Sequence, residues 1–311
     1  MRSEQRAEEG PVVSLAAEPV VGARPRVGRR GPAPVPDRWS GKVLRFFPPL
    51  FGLAMIVALW ELIVRLADIP IYLVPKPSNI VEAAIDNRSE LLEATARTMV
   101  ASFTGLCLAI VLGITGAILL GFSRFLERSV FPYAIVLQTT PIVAVAPMIV
   151  IWVGPGLKSI VVVSLIISFF PMLSNTLVGL SAVDPEARSL FQLYGATRWE
   201  TMRKLRLPGA MPYIMAGVRI SGGLSVIGAI VGEFVAGIGG GRGGLGFVVQ
   251  VSSKQLDIPY LAAGAIAGAL TGVAYHVVSK RLSRRLLIWH ESALIEEGGG
   301  KSIQAAPAGG G

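Results

Sequence analysis

The chain has 311 residues, of which 52% are hydrophobic and only 16% charged, against about 25% charged in an ordinary soluble domain. That deficit excludes a soluble globular fold and points to segments that cross a bilayer, each needing about 20 apolar residues. The net charge of +9 lies in short runs between apolar stretches and forms no continuous basic face, so it speaks for membrane topology and against nucleic acid.

The N-terminal stretch is rich in Pro, Gly, Arg, Glu and Ala, as in Arg24-Pro25-Arg26 and Pro32-Ala33-Pro34-Val35-Pro36. It buries too little apolar area to offset its ordering entropy, so residues 1–42 are expected to be a disordered cytoplasmic tail. It also lacks the apolar core and cleavage site of a signal peptide. A six-helix transmembrane domain is expected over 43–285, with spans near 46–66, 98–122, 130–153, 159–180, 211–235 and 258–279. In hydrocarbon every backbone polar group must pair within its own segment, which makes these spans helices and the chain an all-α polytopic protein. The first span is expected to open on Pro48-Pro49, where missing amide donors do least harm. Between the first two spans, 68–97 is too polar to cross. Pro70, Pro75 and Pro77 extend its first half, and Ser78 offers a cap for a short surface helix. Cys107 stands alone in an apolar stretch, which excludes an intrachain disulfide and reads as a small buried hydrophobe. Gly-rich triplets near the C-terminus, with residues 286–311 around them, predict a second flexible cytoplasmic tail.

Orientation follows the positive charges. With the N-terminus inside, the inner segments hold Arg124, Arg128, Arg188, Arg198, Arg203, Lys204, Arg206, Lys280, Arg281, Arg284 and Arg285 besides the N-terminal cations. The outer segments hold only Lys76, Arg88, Lys158, Arg242 and Lys254. Both termini are therefore placed in the cytoplasm.

The longest inner segment, 181–209, is the most informative. Asp184 can cap a helix there, Pro185 suits its first turn, and Glu186 favours its positive end. Ala187, Leu190, Phe191 and Tyr194 recur at helical spacing as one apolar stripe. Gly195 breaks this helix. A second, basic helix begins near Thr197, carries Arg198, Trp199 and Arg206, and is expected to end at Leu207-Pro208. Two readings are open from these residues: docking into a groove of another protein, or lying on anionic lipid headgroups.

Polar residues inside spans are costly and usually face a bundle interior. Gln138, Thr139 and Thr140, before Pro141, can form a locally unwound polar stretch on a translocation path, or can bond between helices. Asn175, after the expected kink at Pro171, carries the same two readings. Glu233 can shape the outer mouth of the path or cap the glycine-rich loop at 237–244. Arg219 can snorkel to the inner surface or serve a gate. Gly239, Gly241 and Gly244 match G-x-G-x-x-G, but an apolar helix precedes them where a strand is needed, so nucleotide binding is rejected. Gly264, Gly268 and Gly272 form a ridge for close helix packing, against a partner subunit or within the chain. No catalytic constellation and no metal-ligand spacing is present.

Several motifs resemble one family. Asp184-Pro185-Glu186, Gly195-Ala196-Thr197-Arg198-Trp199 and Leu205-Arg206-Leu207-Pro208 look like the loop of binding-protein-dependent ABC import permeases that sits in a cleft of the ATPase subunit. Met211-Pro212-Tyr213-Ile214, Gly217-Val218-Arg219 and Val231-Gly232-Glu233-Phe234 resemble its fifth span, and Gly243-Gly244-Leu245-Gly246 the stretch after that span. Pro141, Ala144, Pro147 and Ile151-Trp152-Val153-Gly154 resemble its third. The likeness covers 74–280. It implies a type I ABC importer permease fold with a cytoplasmic coupling helix, in which Glu186, Gly195, Ala196, Thr197, Arg198 and Trp199 contact the motor. It also implies two ATPase subunits, a second permease subunit (most simply a copy of this chain), an extracytoplasmic binding protein, and a bacterial inner membrane. ATP and Mg would be bound by the ATPase, with no cofactor on this chain and no catalysis of its own. The family usually places Glu-Ala-Ala six residues before the loop glycine, where this chain has Ser189-Leu190-Phe191, and Glu186 is the expected replacement brace. The closest type moves nitrate, sulfonate, taurine or bicarbonate. Within it, Phe169-Phe170-Pro171, Asn175-Thr176 and Gly228 to Phe234 look most like members moving pyrimidine vitamin precursors or riboflavin. Outside the family, the competing classes are a stand-alone secondary transporter and a membrane anchor.

Overall fold

A computed structural model describes residues 41–236 and 243–287, so nearly all of both expected tails and most of the 237–244 loop lie outside the described residues. The chain divides into two units, 1–53 and 54–311. Of the first, only the opening of α1 (Gly41–Leu66) is described. That helix begins before Pro48-Pro49, so the prolines fall inside it and do not open it.

The second unit is all-helical among the described residues. The rest of α1 is followed by α2 (Pro77–Asp86), α3 (Arg88–Gly121), α4 (Arg124–Thr139), α5 (Ile142–Val153) and α6 (Leu157–Ser181). Then come α7 (Pro185–Leu193), α8 (Arg198–Thr201), a π-helical turn (Met202–Arg206) and α9 (Leu207–Gly209). Last are α10 (Met211–Ala236), α11 (Leu245–Gln255) and α12 (Ile258–Leu286). Four of these, α3, α6, α10 and α12, are long and apolar enough to cross a bilayer among the described residues. The spans expected at 159–180 and 211–235 match α6 and α10 closely. The one expected at 130–153 is not a single helix: it breaks at Thr140-Pro141 into α4 and α5. Pro141 adopts an extended conformation, ψ 106°, and has no amide to carry the helical ladder forward.

Ser78 does not cap α2. Lys76 holds the cap position with Pro77 first in the helix, and Ser78 instead donates from its amide and hydroxyl to Glu61 of α1, at 3.1 and 2.9 Å. A carboxylate at the positive end of α2 does the work of a cap from a neighbouring helix.

The centre of the fold is a seam between α6 and α10, built from glycines and serines. A Cβ at Gly228 would lie 2.7 Å from the Cα of Ser164, so only glycine permits this approach. Ser168 and Ser221 donate to each other's carbonyls at 3.2 and 2.8 Å, and the Ser164 hydroxyl donates to the Ser225 carbonyl at 2.9 Å. Small residues let backbones close, and the hydroxyls then reach across. Below the seam, Met172, Leu173, Leu177 and Leu180 of α6 pack with Ile214, Met215 and Val218 of α10, Ala117 and Leu120 of α3, and Met202 of the π turn. Beyond it, Ala146 and Ile149 of α5 pack on Val163. At the other end of the bundle, Ile80, Ala94, Leu245, Val248, Tyr260 and Ala263 gather α2, α3, α11 and α12 into a satellite cluster.

Two of the three α12 glycines face this chain, Gly264 packing on Val248 and Gly268 on Ile230, while Gly272 has open space. Cys107 is exposed on α3 and not buried. Large apolar residues such as Phe103, Val111 and Leu119 are exposed on the same helix, as expected of a surface that meets hydrocarbon or another apolar subunit.

Candidate functional site

The segment joining α6 to α10 is built from well-terminated short pieces. Asp184 accepts from the Glu186 amide at 3.0 Å and caps α7, with Pro185 in the first turn. At the other end Gly195, at φ +71°, and Ala196 donate to the Gln192 and Phe191 carbonyls, both at 3.0 Å. This double closure is the Schellman arrangement, and its left-handed position is one that glycine adopts without penalty. Thr197 and Glu200 then form a reciprocal capping box on α8. Lys204 pairs with Glu200 at 3.2 Å. The Thr197 amide bonded to Glu200, backed by the Thr197 hydroxyl and Lys204, holds its carboxyl well below the usual carboxylate range, at about 2. Every link here is local, so the α7–Gly195–α8 shape is largely self-determined.

The anticipated apolar stripe is divided. Ala187 and Phe191 are half-buried, whereas Leu190, Leu193 (86% exposed) and Tyr194 (81% exposed) stand clear. Trp199 is 58% exposed, and its ring stacks on Phe122, just past the end of α3, at a centroid distance of 6.0 Å and 18° between planes. One turn on, Met202 is buried in the main core. Arg206 donates from Nε to the Leu180 carbonyl and from Nη1 to the Gly121 carbonyl, both at 2.9 Å. Leu207-Pro208 does not terminate the basic helix, which continues through α9 to Gly209. The π turn just before Pro208 widens the helix at the carbonyls that a proline ring would otherwise strike. The Glu186 carboxylate is exposed and makes no hydrogen bond or ion pair among the described residues; the brace inside the segment is Glu200. A groove of about 580 Å³ runs between the start of α7 and the start of α10, lined by Val183, Asp184, Ala187, Leu205 and Tyr213.

The candidate path residues are not gathered at one place. Gln138, Thr139 and Thr140 are exposed at the α4–α5 break, where both threonine hydroxyls donate to the Val136 carbonyl at 2.9 Å. Asn175 is half-buried and donates to Pro171 of its own helix at 2.8 Å. Glu233 is only 2% exposed and belongs to a closed clasp. Its carboxylate accepts from the Gly246 amide and from the Thr98 hydroxyl, each at 2.9 Å, while that hydroxyl accepts the Leu245 amide, also at 2.9 Å. Of the two roles open to Glu233, the structure displays the tie to the chain after α10, with α11 as the element held. Arg219 is half-buried on α10. Sequence reasoning passed over Glu200, α11 and the bonds that Thr98 and Arg206 make across the fold. The T-x-x-E spacing of Thr197 and Glu200 was a readable sign of the capping box. Leu245, Val248 and Ser252 before Asp257-Ile258-Pro259 marked a helix and the cap of the next. Thr98 and Arg206 act across the fold and left no local pattern.

Residues 105–288 match the family model described as "Binding-protein-dependent transport system inner membrane component". This chain belongs to that family. Among its relatives, the formylaminopyrimidine transport permease protein ThiX of Halalkalibacterium halodurans is 35% identical, over 78% of this chain and 96% of its own length. The riboflavin transport system permease protein RibX of Chloroflexus aurantiacus is 32% identical, over 80% and 93%. The taurine transport system permease protein TauC of Escherichia coli is 28% identical, over 76% and 88%. Among solved structures, an amino acid ABC transporter with histidines superposes with a TM-score of 0.51 at 19% identity, over 65% of this chain and 96% of that one. The chain is thus an inner-membrane permease of the ABC importer type, a multi-pass protein whose family works with separate ATPase subunits and substrate-binding proteins. The permease family is one of transport and not of catalysis.

Proposed function

We propose that the segment from Ala182 to Ala210 is the coupling element through which ATPase subunits drive this permease. The observation that carries the reading is a contrast within the segment. Leu193 and Tyr194 project into open space beside the left-handed Gly195, while the base of the same segment is stacked on Phe122 and rooted in the core through Met202. Exposed apolar side chains on an element already held rigid suit insertion into a protein groove, where little ordering entropy remains to be lost. In this reading Glu186 and Gly195 to Trp199 contact the motor, which binds ATP and Mg. The positive charges around the segment support a cytoplasmic side for it and for both termini. The transmembrane domain spans 43–285 with six crossings, α4 and α5 together making the broken one.

The transport path runs between two permease subunits, most simply two copies of this chain. The α6–α10 seam is too tightly closed to admit a solute, and the exposed polar side chains of Gln138, Thr139 and Thr140 lie where α4 gives way to α5. ATP-driven closure of the motor moves the segment and rocks the spans about that path. Two relatives above 30% identity move, by their names, formylaminopyrimidine and riboflavin, both nitrogen heterocycles. We therefore favour a pyrimidine vitamin precursor or riboflavin over an oxyanion such as taurine or sulfonate.

Co-purification tests the coupling role. Leu193→Asp with Tyr194→Ala is expected to strip the ATPase from a permease that still inserts and keeps its thermal stability; retention of the ATPase would refute the docking surface. Calorimetry on the cognate binding protein with formylaminopyrimidine, riboflavin and taurine tests the substrate. Binding of taurine alone would overturn the heterocycle reading.

A further inference from the structure

We propose that Arg206 is the positioning residue that carries movement of the coupling segment into α3 and α6 as well as α10. It rests on the docking role proposed above. Chain connectivity joins the segment only to α6, through Ala182, and to α10, through Met211. Nothing in the covalent chain obliges α3 to move with them, since Gly121 precedes Arg206 by 85 positions.

Arg206 supplies a directional, hydrogen-bonded tie. Its Nε and Nη1 hold the Leu180 and Gly121 carbonyls, both at 2.9 Å. Leu180 and Gly121 lie in the last turns of α6 and α3, where carbonyls have no amide four residues on to bond. Those ends also carry the negative pole of each helix, which favours a cation. One planar guanidinium therefore closes two helix ends at once, from a third element. Its donors are fixed in a fork, so the relative position of the two carbonyls is fixed with them, which the flexible point charge of lysine does not achieve. The Phe122–Trp199 stack and the packing of Met202 with Ala117 and Leu120 add further contacts between the segment and the end of α3, but apolar contacts can slide and carry less direction. Further along, the α6–α10 seam keeps those helices in fixed register, so a displacement entering at Arg206 acts on three spans as one body.

The test uses the whole complex with its ATPase subunits and binding protein, in proteoliposomes. On a Cys107→Ser background, nitroxide labels are placed at Ser123→Cys, just past α3, and at Arg203→Cys on the exposed side of the π turn. Their separation within one copy is measured without nucleotide and with ATP plus vanadate. With Arg206 present, the same separation is expected in both states. In Arg206→Gln the separation should lengthen, or split into two populations, when nucleotide is added, with Arg206→Lys falling between. An unshifted pair in Arg206→Gln, with ATPase bound, overturns the assignment. So does a nucleotide-dependent shift in the Arg206 parent. ATPase retention in the Leu193→Asp, Tyr194→Ala variant, measured in parallel, separates the two ideas: retention there removes the docking reading and the Arg206 proposal with it, whereas loss there with an unshifted pair in Arg206→Gln overturns the Arg206 proposal alone. If Arg206→Gln fails to accumulate, Arg206→Lys under the same measurement decides, because a purely structural role changes yield and melting but not a nucleotide-dependent distance.

Discussion

Thr98→Val isolates the clasp that holds α11. Valine keeps the shape of threonine, so packing at this fully buried site is unchanged and only the hydroxyl is lost. Two buried groups then go short. The Leu245 amide loses its acceptor, which costs about 1–3 kcal/mol, and the Glu233 carboxylate loses one of its two donors, about 1.5–3 kcal/mol for a charged group. Taking about 3 kcal/mol as the combined penalty, local opening of the start of α11 becomes roughly a hundredfold more populated. Hydrogen exchange read by mass spectrometry over residues 243–257 measures this directly, since exchange there tracks the open population. Thr98→Ser, which keeps the hydroxyl, should exchange close to the parent. Equal exchange in Thr98→Val and the parent would refute the argument, showing that the satellite core of Leu245, Val248 and Tyr260 holds α11 without the clasp.

The geometry sets three further outcomes. Gly228→Ala places a Cβ against the Ser164 backbone and should lower stability by about 1–3 kcal/mol in thermal melts, whereas Gly223→Ala, with open space around it, should not. Leu256 ends α11 in the left-handed region at φ 58° with its side chain exposed, so Leu256→Gly should raise the melting temperature through relief of about 1 kcal/mol. Glu200 has its carboxyl depressed from 4.5 to about 2, so the capping box contributes fully above about pH 4.5 and is lost as pH falls toward 2; the Thr197 amide resonance should titrate in that window, and a midpoint at the ordinary carboxylate value would overturn the capping assignment.

Much of the helical scaffold was legible because long apolar runs leave the backbone no other partner in hydrocarbon, and α6 and α10 lie almost where those runs lie. The single helix drawn through Pro141 breaks in two because hydropathy registers oil solubility and not amide donors; the polar triplet before the proline was the better guide. In the coupling segment, the cap at Asp184 and the break at Gly195 were local and readable. What escaped were long-range acts: Arg206 reaching Gly121, Thr98 meeting Glu233 across 135 positions, and Glu61 standing in for a cap on α2. Cys107 was misjudged for a related reason, since apolar surroundings in sequence do not tell a core from an exposed apolar face.

The α6–α10 seam has a consequence for temperature. Inside a bilayer, leaving a neighbouring helix for lipid tails exposes no apolar group to water, so nothing like oil-and-water demixing keeps these two rods side by side. Their attachment comes from fit and from hydroxyl-to-carbonyl bonds. Chilling weakens demixing but leaves such contacts intact. The heart of this permease should thus stay knitted in the cold, while the water-facing α7–α9 region, with its partly apolar footing, is where low temperature first loosens the machine.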